Sequence, residues 1–383
     1  MYANTLTYLD YNATTPVDSS VVAAMLPWFS AQPWNAASAH HGGRVAAQAV
    51  EAARSQVASL VSARKGEIYW TSGATEANNL GIKGVLEVST PAKRRVVTFA
   101  SEHKAVLDTV GWLGNTGIPA TVLPVERDGS VPMEALEQTL SVGDVALVSL
   151  MAANNETGVL SDLAFVAELV HRFRALLHTD ATQMVGRLPF DVRALGVDLA
   201  SMSAHKLYGP KGVGALFVSN DLAIAPQIHG GGHERGLRSG TLNVPGIVGF
   251  GVAAELAAGR MDAEAARQAA LIERFKARLI GLIDDVELTA EGSRFLPNTL
   301  SIRFKGADAE AVMANAASVY VSSGSACTAL TPEPSHVLRA MGMTDEEALE
   351  CLRISVGCPT TEQDVETGAE LIAGAVKRVR SFN

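Results

Sequence analysis

Cysteine is scarce: Cys327, Cys351 and Cys358 are the only three in 383 residues. So few, so scattered, build no disulfide framework, and a reducing, cytoplasmic setting is expected. Their spacings fit no zinc finger, so no metal centre is expected. A surplus of positive charge is missing too. Lys plus Arg number 31 against 40 Asp plus Glu, a net −9. Bulk electrostatics therefore offers nucleic acid no direct hold. The opening MYANTLTYLDYNATTP lacks the basic start and apolar run of a secretory leader. No apolar stretch long enough to span a bilayer is free of charge or turn residues. The nearest, 244–259, contains Pro245 and Glu255 and reads as a core helix, so no membrane role is expected. Charged residues are only 19% and hydrophobic ones 48%, which excludes a disordered chain. Repeats, low-complexity tracts, a collagen-like period and long linkers are all absent.

Glycine, by contrast, is plentiful. There are 34, clustered in HGGR and HGGGHERG, where backbone is brought close to a ligand. Short apolar runs also recur: GEIYWTSG, RRVVTFAS, DVALVSLMAANN, ALLHTDATQ, DLASMSA and GALFVS read as strands. Amphipathic stretches such as LSDLAFVAELVHRFRA separate several of them. This alternation predicts an α/β fold with a mainly parallel sheet covered on both faces. Ligands in such sheets sit beyond the carboxyl ends of the strands. The polar endings TSGATE, SEHKA, NNETG, DATQ and SAHK fall there. Near residue 255 the texture changes. A long Ala- and Arg-rich helix over 255–283 reads as a connector. A strand at 298–304, a helix, a strand ending in VSSGSAC, the strand CLRISVG and a closing helix over about 361–380 then form a smaller α+β unit.

The strand endings carry the chemistry. Lys206, in SMSAHKLYGPKGVGALFV, follows an apolar strand and precedes a glycine-rich turn. A lysine held dry there loses its proton and attacks a carbonyl, although most loop lysines are merely solvated. Ser203 and His205 offer phosphate donors beside it. Asp180 ends LLHTD and suits either a protonated pyridine nitrogen or a helix N-cap. Gln183 follows as a donor to a ring oxygen. SGATEANN opens a helix with Ala74 and Thr75 at its N-terminus, where phosphate is favoured. His103 would stack on a flat ring or move a proton, or be structural. Asn154 and Asn155 would fix a ligand or form a turn. A Schiff-base lysine, an acid for a ring nitrogen, a stacking ring and a phosphate cup together point to pyridoxal 5'-phosphate.

These residues sit in motifs that resemble the cysteine desulfurases of the class V aminotransferase family, most closely the NifS and IscS group. The motifs are TSGATEANNL, EHKAVL, NNETG, HTDATQ, SAHKLYGPKGVGAL, HGGGHERGLRSGT, and SSGSACT followed by EPSHVLRAMG. The resemblance runs from YLDYNATTP to about Thr361. It implies the type I pyridoxal-phosphate fold, with a seven-stranded sheet in a large cofactor-binding domain, 15–255. A small domain, 1–14 with 256–383, would carry the catalytic cysteine loop. It implies that Lys206 links covalently to the cofactor. Asp180 would hold the ring nitrogen, Gln183 the ring oxygen, and Ala74, Thr75, Ser203 and His205 the phosphate. His103 would stack and shuttle protons. Thr241 would reach the phosphate of a neighbouring subunit, which makes the protein a homodimer with shared active sites. Asn155, Arg353 and Asn35 are expected at the substrate, L-cysteine. Cys327 would take the sulfur as a persulfide while alanine leaves, and then pass it to an acceptor protein. Its thiol, with a free pKa of about 8.5, needs a base, for which His103 is the candidate. The segment 327–335, rich in small and turn residues, matches the long-loop version of the family.

Some features depart from the family pattern. Trp34-Asn35-Ala36-Ala37-Ser38 stands where relatives read Gly-Asn-Pro before a small residue and serine, so a reshaped entrance is expected. Ala204 replaces a glycine. The chain ends at Asn383 without the tail some relatives use to meet an iron–sulfur scaffold. That shifts expectation from general iron–sulfur assembly toward a dedicated pathway such as tRNA thiolation or DNA phosphorothioation. Cys351 reads as a core residue. Cys358 reads as structural, with a second thiol near the site as the minor alternative. A selenocysteine lyase, or another enzyme of the same fold, is the competing activity. The persulfide-type cysteine motif argues against an aminotransferase.

Overall fold

The computed structural model describes residues 6–323 and 333–382. In chain order the strands are β1 (Thr7–Tyr8), β2 (Ile68–Thr71), β3 (Arg95–Phe99), β4 (Ala120–Leu123), β5 (Val145–Ser149) and β6 (Leu176–Asp180). They continue with β7 (Leu199–Ser203), β8 (Gly214–Val218), β9 (Val286–Leu288), β10 (Thr299–Phe304), β11 (Val319–Tyr320) and β12 (Cys351–Ser355). The helices are α1 (Ser19–Met25), α2 (His41–Leu60), α3 (Ala74–Val88), α4 (Lys104–Asn115), α5 (Met133–Ser141) and α6 (Leu163–Arg172). The remainder are α7 (Val244–Ile280), α8 (Ala309–Asn315), α9 (His336–Ala340), α10 (Asp345–Leu349) and α11 (Glu362–Arg380).

Seven strands form one sheet in the order β2-β8-β7-β6-β5-β3-β4. Only the pairings of β8, with β2 and with β7, are antiparallel. Strands β5, β7 and β8 are buried at every position, because helices cover both faces. Alternation sends neighbouring residues to opposite sides. Val96, Leu147 and Leu216 join the cluster under α3 and α4. Val97, Val148 and Phe217 join the cluster shared with α2, α6 and the first half of α7. The six strands read from sequence all lie in this sheet. The seventh, β4, is a half-exposed edge strand, which explains its weak apolar signal.

Helix α7 runs for 37 residues, about 55 Å at 1.5 Å per residue. It joins what the sequence presents as a core helix and a separate connector. Pro245 sits in its first turn, where a missing N–H costs nothing, and Asn243 caps it by accepting from Gly246 N–H. Its composition and length would suit a bilayer, but Ile247, Phe250 and Ala254 pack into the main cluster. Leu271, Phe275 and Leu279 pack into a second cluster, with Leu9, β10, β12 and α11.

That second cluster backs an antiparallel sheet ordered β12-β10-β9. The strand before SSGSAC, β11, lies outside this sheet. It pairs in parallel with β1, and β9 takes the third place. The two-residue β11 and β1 have too little chain to show a period, so only the tertiary pairing defines them.

Candidate active site

A cleft of about 960 Å³ opens at the carboxyl ends of β3, β5, β6 and β7, with Asp10, Asn12 and Arg353 facing in from the side of the smaller sheet. Its walls include Ala74, Thr75, His103, Asn155, Asp180, Gln183, Ser203, His205, Lys206 and Arg353, residues brought together from across the sequence. Asn35 and Thr241 are exposed and lie outside it. Asn35 Oδ1 accepts from Ala37 N–H at 2.9 Å in a local turn. Trp34 lies against Gly42, where a Cβ would stand 2.7 Å from its ring. Cys327 lies outside the described residues. Ser322, Glu333 and Ser335, described on either side of it, line the cleft.

Lys206 closes a short 3-10 turn directly after β7. Its Nζ donates to the carbonyls of Asn12 at 2.5 Å and Ala13 at 2.8 Å. Burial lowers its pKa from 10.5 to about 7, helped by the cations Arg187 and Arg353 and opposed by Asp10 and Asp180. A large fraction of the amine is therefore unprotonated near neutrality, as a carbonyl-attacking lysine requires. Burial first, then Lys206, Lys211 and Arg187, lowers His205 to about 4, so that ring is neutral. Its Nδ1 lies 3.1 Å from Thr14 Oγ1.

Asp180 is buried at the end of β6. Its Oδ2 accepts from Asn78 Nδ2 at 2.7 Å, and its Oδ1 accepts from Thr182 N–H at 3.0 Å. It is thus no helix N-cap. Gln183 is one turn on, with Nε2 donating to Asn12 O at 3.0 Å. Ala74 and Thr75 form the first turn of α3, whose leading N–H groups have no partner within the helix. Gly73 before them has φ +159°. A Cβ on Gly214 would meet Gly73 Cα and Met202 O at 2.6 Å each, so a bare backbone at that position leaves room for the turn.

The two asparagines divide their roles. Asn154 is buried and builds the turn: its Oδ1 accepts from Glu156 and Thr157 N–H at 2.8 and 2.9 Å. Asn155 lines the cleft, and its carbonyl accepts from Arg353 Nη1 at 2.9 Å. Arg353 Nη2 donates to Asp10 Oδ1 at 2.5 Å. His103 is the N-cap of α4, its Nδ1 accepting from Ala105 N–H at 3.0 Å. While that cap holds, the neutral ring offers Nε2–H as a donor, and taking a proton at Nδ1 requires releasing Ala105.

Cys351 is buried in β12, donates to Glu347 O at 3.2 Å and is pushed up to about 12 by burial, an inert core thiol. Cys358 is half-buried near Tyr208 and Glu264, away from the cleft lining, and burial raises its pKa. Sequence reading missed Asp10, Asn12, Asn78 and Arg187. Asn78 stands four residues after Ala74, on the same helix face, and that spacing was the available signal. Asp10 and Asn12 lie in the LDYN run, whose role depends on contacts made far along the chain.

Among the described residues, Asn78 Oδ1, Thr182 Oγ1 and Arg353 Nε are buried without a hydrogen-bond partner, and all three residues line the cleft. Buried polar atoms are rarely left so. With a carboxylate at Asp180, a near-neutral lysine and a helix N-terminus, the donor set fits a flat, phosphorylated, nitrogen-containing ring.

Residues 7–367 match the aminotransferase class-V family. A cysteine desulfurase of Frankia sp. (strain EuIK1) is 48% identical over 388 residues, covering 98% of this chain and 92% of that protein. Cysteine desulfurase IscS of Anaeromyxobacter dehalogenans (strain 2CP-C) is 46% identical over 379 residues, covering 98% and 94%. The solved structure of a NifS-like protein is 37% identical, with a TM-score of 0.91 over 97% of this chain and 100% of that one. With the family's motifs spread over nearly its whole length and its fold in the same arrangement, this chain belongs to the class-V aminotransferases, as a cysteine desulfurase.

Proposed function

We propose that pyridoxal 5'-phosphate binds in this cleft on Lys206, and that substrate sulfur passes from L-cysteine to Cys327 as a persulfide and on to an acceptor protein. The observation that carries the reading is Lys206: a half-buried amine held by the Asn12 and Ala13 carbonyls and brought to about 7 at the strand ends. When bound, the cofactor supplies an electron sink for the amino acid's Cα and Cβ bonds. Asp180, already oriented by Asn78 and Thr182, would hold the ring nitrogen. Gln183 would meet the ring oxygen. The N–H groups of Ala74 and Thr75, with Ser203 and His205, would hold the phosphate.

Arg353 and Asn155 would take the substrate carboxylate, the first through its unpartnered Nε edge. His103 Nε2–H would give a proton. Accepting one back calls for loss of its cap on α4. The Cys327 thiolate attacks the substrate sulfur. The Cβ–S bond breaks, its electron pair returns to carbon and is protonated there, and alanine leaves with the sulfur retained on Cys327. Thr241, outside this chain's own cleft, would serve the phosphate of a second subunit, which makes a homodimer part of the reading. The division into a cofactor domain, 15–255, and a smaller domain, 1–14 with 256–383, belongs to it as well, as does a cytoplasmic setting. Helix α7 crosses that boundary.

The test is product analysis. The purified protein is given L-cysteine with a reductant, and alanine and sulfide are quantified. Equal yields are expected, lost in Cys327→Ser while visible absorption of the bound cofactor remains, and absent with that absorption in Lys206→Ala. Alanine formed undiminished by Cys327→Ser removes the persulfide step. Turnover of selenocysteine but not cysteine moves the activity to a selenocysteine lyase.

A further inference from the structure

Arg187 lies behind the reactive lysine and belongs to none of the motifs' expected roles. Its Nη1 donates to Asn12 Oδ1 at 2.9 Å and to Gln183 Oε1 at 2.5 Å, and its Nη2 donates to Tyr11 O at 3.1 Å. Every one of these acceptors is neutral. Among the described residues no carboxylate pairs with this guanidinium, unlike the buried Arg54, which Glu234 holds with two bonds. Asn12 joins Arg187 to the lysine. Its side-chain oxygen takes Arg187, and its carbonyl oxygen takes both Lys206 Nζ and Gln183 Nε2. Asn12 Nδ2 is fixed in turn by Thr299 Oγ1 at 2.9 Å.

We propose that Arg187 is a positioning residue for the desulfurase reaction. Its guanidinium anchors the oxygen end of the Gln183 amide, holds Asn12 under Lys206, and keeps behind the lysine a positive charge that no carboxylate pairs among the described residues.

The amide argument is one of donor and acceptor. Gln183 presents one oxygen and one NH₂, and a guanidinium only donates. Arg187 therefore selects the oxygen and leaves Nε2 turned away from it, toward Asn12 O and the cleft. Asn12 O, which only accepts, selects the same orientation from the Nε2 side, so Arg187 and the Asn12 carbonyl lock the amide from both ends. The charge argument is one of desolvation. Burial first, joined by the cation Arg353 and opposed by Tyr208 and Cys358, lowers Arg187 from 12.5 to about 10, the cost of packing a cation without a carboxylate. Such a cost is retained where function uses it. The groups that face Lys206 are Arg187 and Arg353, which disfavour its protonated form, and Asp10 and Asp180, which favour it. Around Arg187 stand Tyr208, Arg353 and Cys358.

The inference rests on the proposed cofactor reading, but its test reads Lys206 directly. The full chain, stripped of cofactor, is labelled with a limiting amine-reactive acetylating reagent across neutral and alkaline pH. Lys206 acetylation is followed by peptide mass spectrometry, with melting temperature measured alongside. In Arg187→Met the labelling midpoint is expected to rise by about half a pH unit or more, about a threefold gain in proton affinity. Arg187→Lys is expected to stay at the wild-type midpoint. Melting of Arg187→Met is expected to fall, since Asn12 Oδ1, Gln183 Oε1 and Tyr11 O lose their donor, so the midpoint is read below the melting range of each variant.

A wild-type midpoint in folded Arg187→Met overturns the proposal, as does an equal shift in Arg187→Lys. Should Arg187→Met not fold, Arg187→Gln gives a second neutral variant that still donates to Asn12, and the same midpoint decides. A wild-type protein that binds no pyridoxal 5'-phosphate, yet shows these shifts, removes the cofactor reading and leaves the Arg187–Lys206 relationship standing.

Discussion

Arg353 Nη2 lies 2.5 Å from Asp10 Oδ1, so the arginine expected to greet the substrate carboxylate already holds a carboxylate of its own. The pair joins β12 to the segment just after β1, and Arg353 is only 6% exposed. Asp10 therefore orients the guanidinium while leaving Nε without a partner among the described residues. Removing Arg353 deletes a charge-assisted contact. Arg353→Ala is expected to raise KM for L-cysteine about 10- to 100-fold, with a smaller change in kcat. Asp10→Asn, which only loosens the arginine, is expected to raise KM about three- to tenfold. Steady-state kinetics checks both, and a wild-type KM in Asp10→Asn denies it the orienting role.

Gly214 governs the shape of the turn before α3. An added Cβ meets backbone atoms of Gly73 and Met202 at 2.6 Å, and neither yields as a flexible side chain would. Gly214→Ala is expected to displace the Gly73 turn and weaken pyridoxal 5'-phosphate binding about tenfold or more, for an overpacking cost of about 1–3 kcal/mol. Equilibrium binding followed by visible absorption measures this. Unchanged affinity would mean that the α3 N-terminus does not hold the phosphate.

The HGGGHERG segment is tied down by charge. Glu234 receives Arg54 at 2.7 and 2.8 Å and Trp70 N–H at 2.7 Å, with both side chains buried. Glu234→Ala leaves the buried guanidinium only the half-exposed Glu51 as a carboxylate partner, and Trp70 N–H without its acceptor, and is expected to cost about 3 kcal/mol in urea unfolding. The double variant with Arg54→Met is expected to lose less than the two single losses combined, because the under-compensated charge goes with it.

His178 sets a dependence of stability on pH. It is fully buried on β6 between Ser149 Oγ at 2.8 Å and Ser201 Oγ at 3.0 Å. Burial lowers its pKa from 6.5 to about 4, against the pull of Asp180. The unfolded chain therefore binds a proton that the folded chain refuses. Stability contributed by the neutral ring is present above about pH 6.5 and is lost as pH falls toward 4, by up to about 3 kcal/mol. Urea midpoints at neutral and mildly acid pH are expected to differ in the wild type and to converge in His178→Gln. An equal difference in that variant would assign the slope to other groups.

How much was legible depends on the range of the interactions. The six strands from GEIYWTSG to GALFVS were readable because buried parallel strands write themselves as apolar runs. The edge strand β4 and the two-residue β1 and β11 were not, since their pairing partners supply the order. Lys206, Asp180, Gln183 and the Ala74–Thr75 turn were found because each sits beside its own strand or helix end. Asp10, Asn12 and Arg187 escaped because nothing local distinguishes them. Asn12 is separated from Arg187 by 175 residues and from Lys206 by 194.

The amino-acid sequence alone determined the chemistry on offer: a lysine after a strand, carboxylate and amide endings, a glycine-rich turn and a family of motifs that names the reaction. Those properties are local, written in neighbouring side chains. Only the tertiary structure decided how those groups behave. It set Lys206 near neutrality, gave Arg353 to Asp10, spent His103 Nδ1 on a helix cap, and put behind the lysine an Arg187 that no carboxylate pairs among the described residues. Burial and charge act through space, and their partners were chosen by the packing of segments hundreds of residues apart.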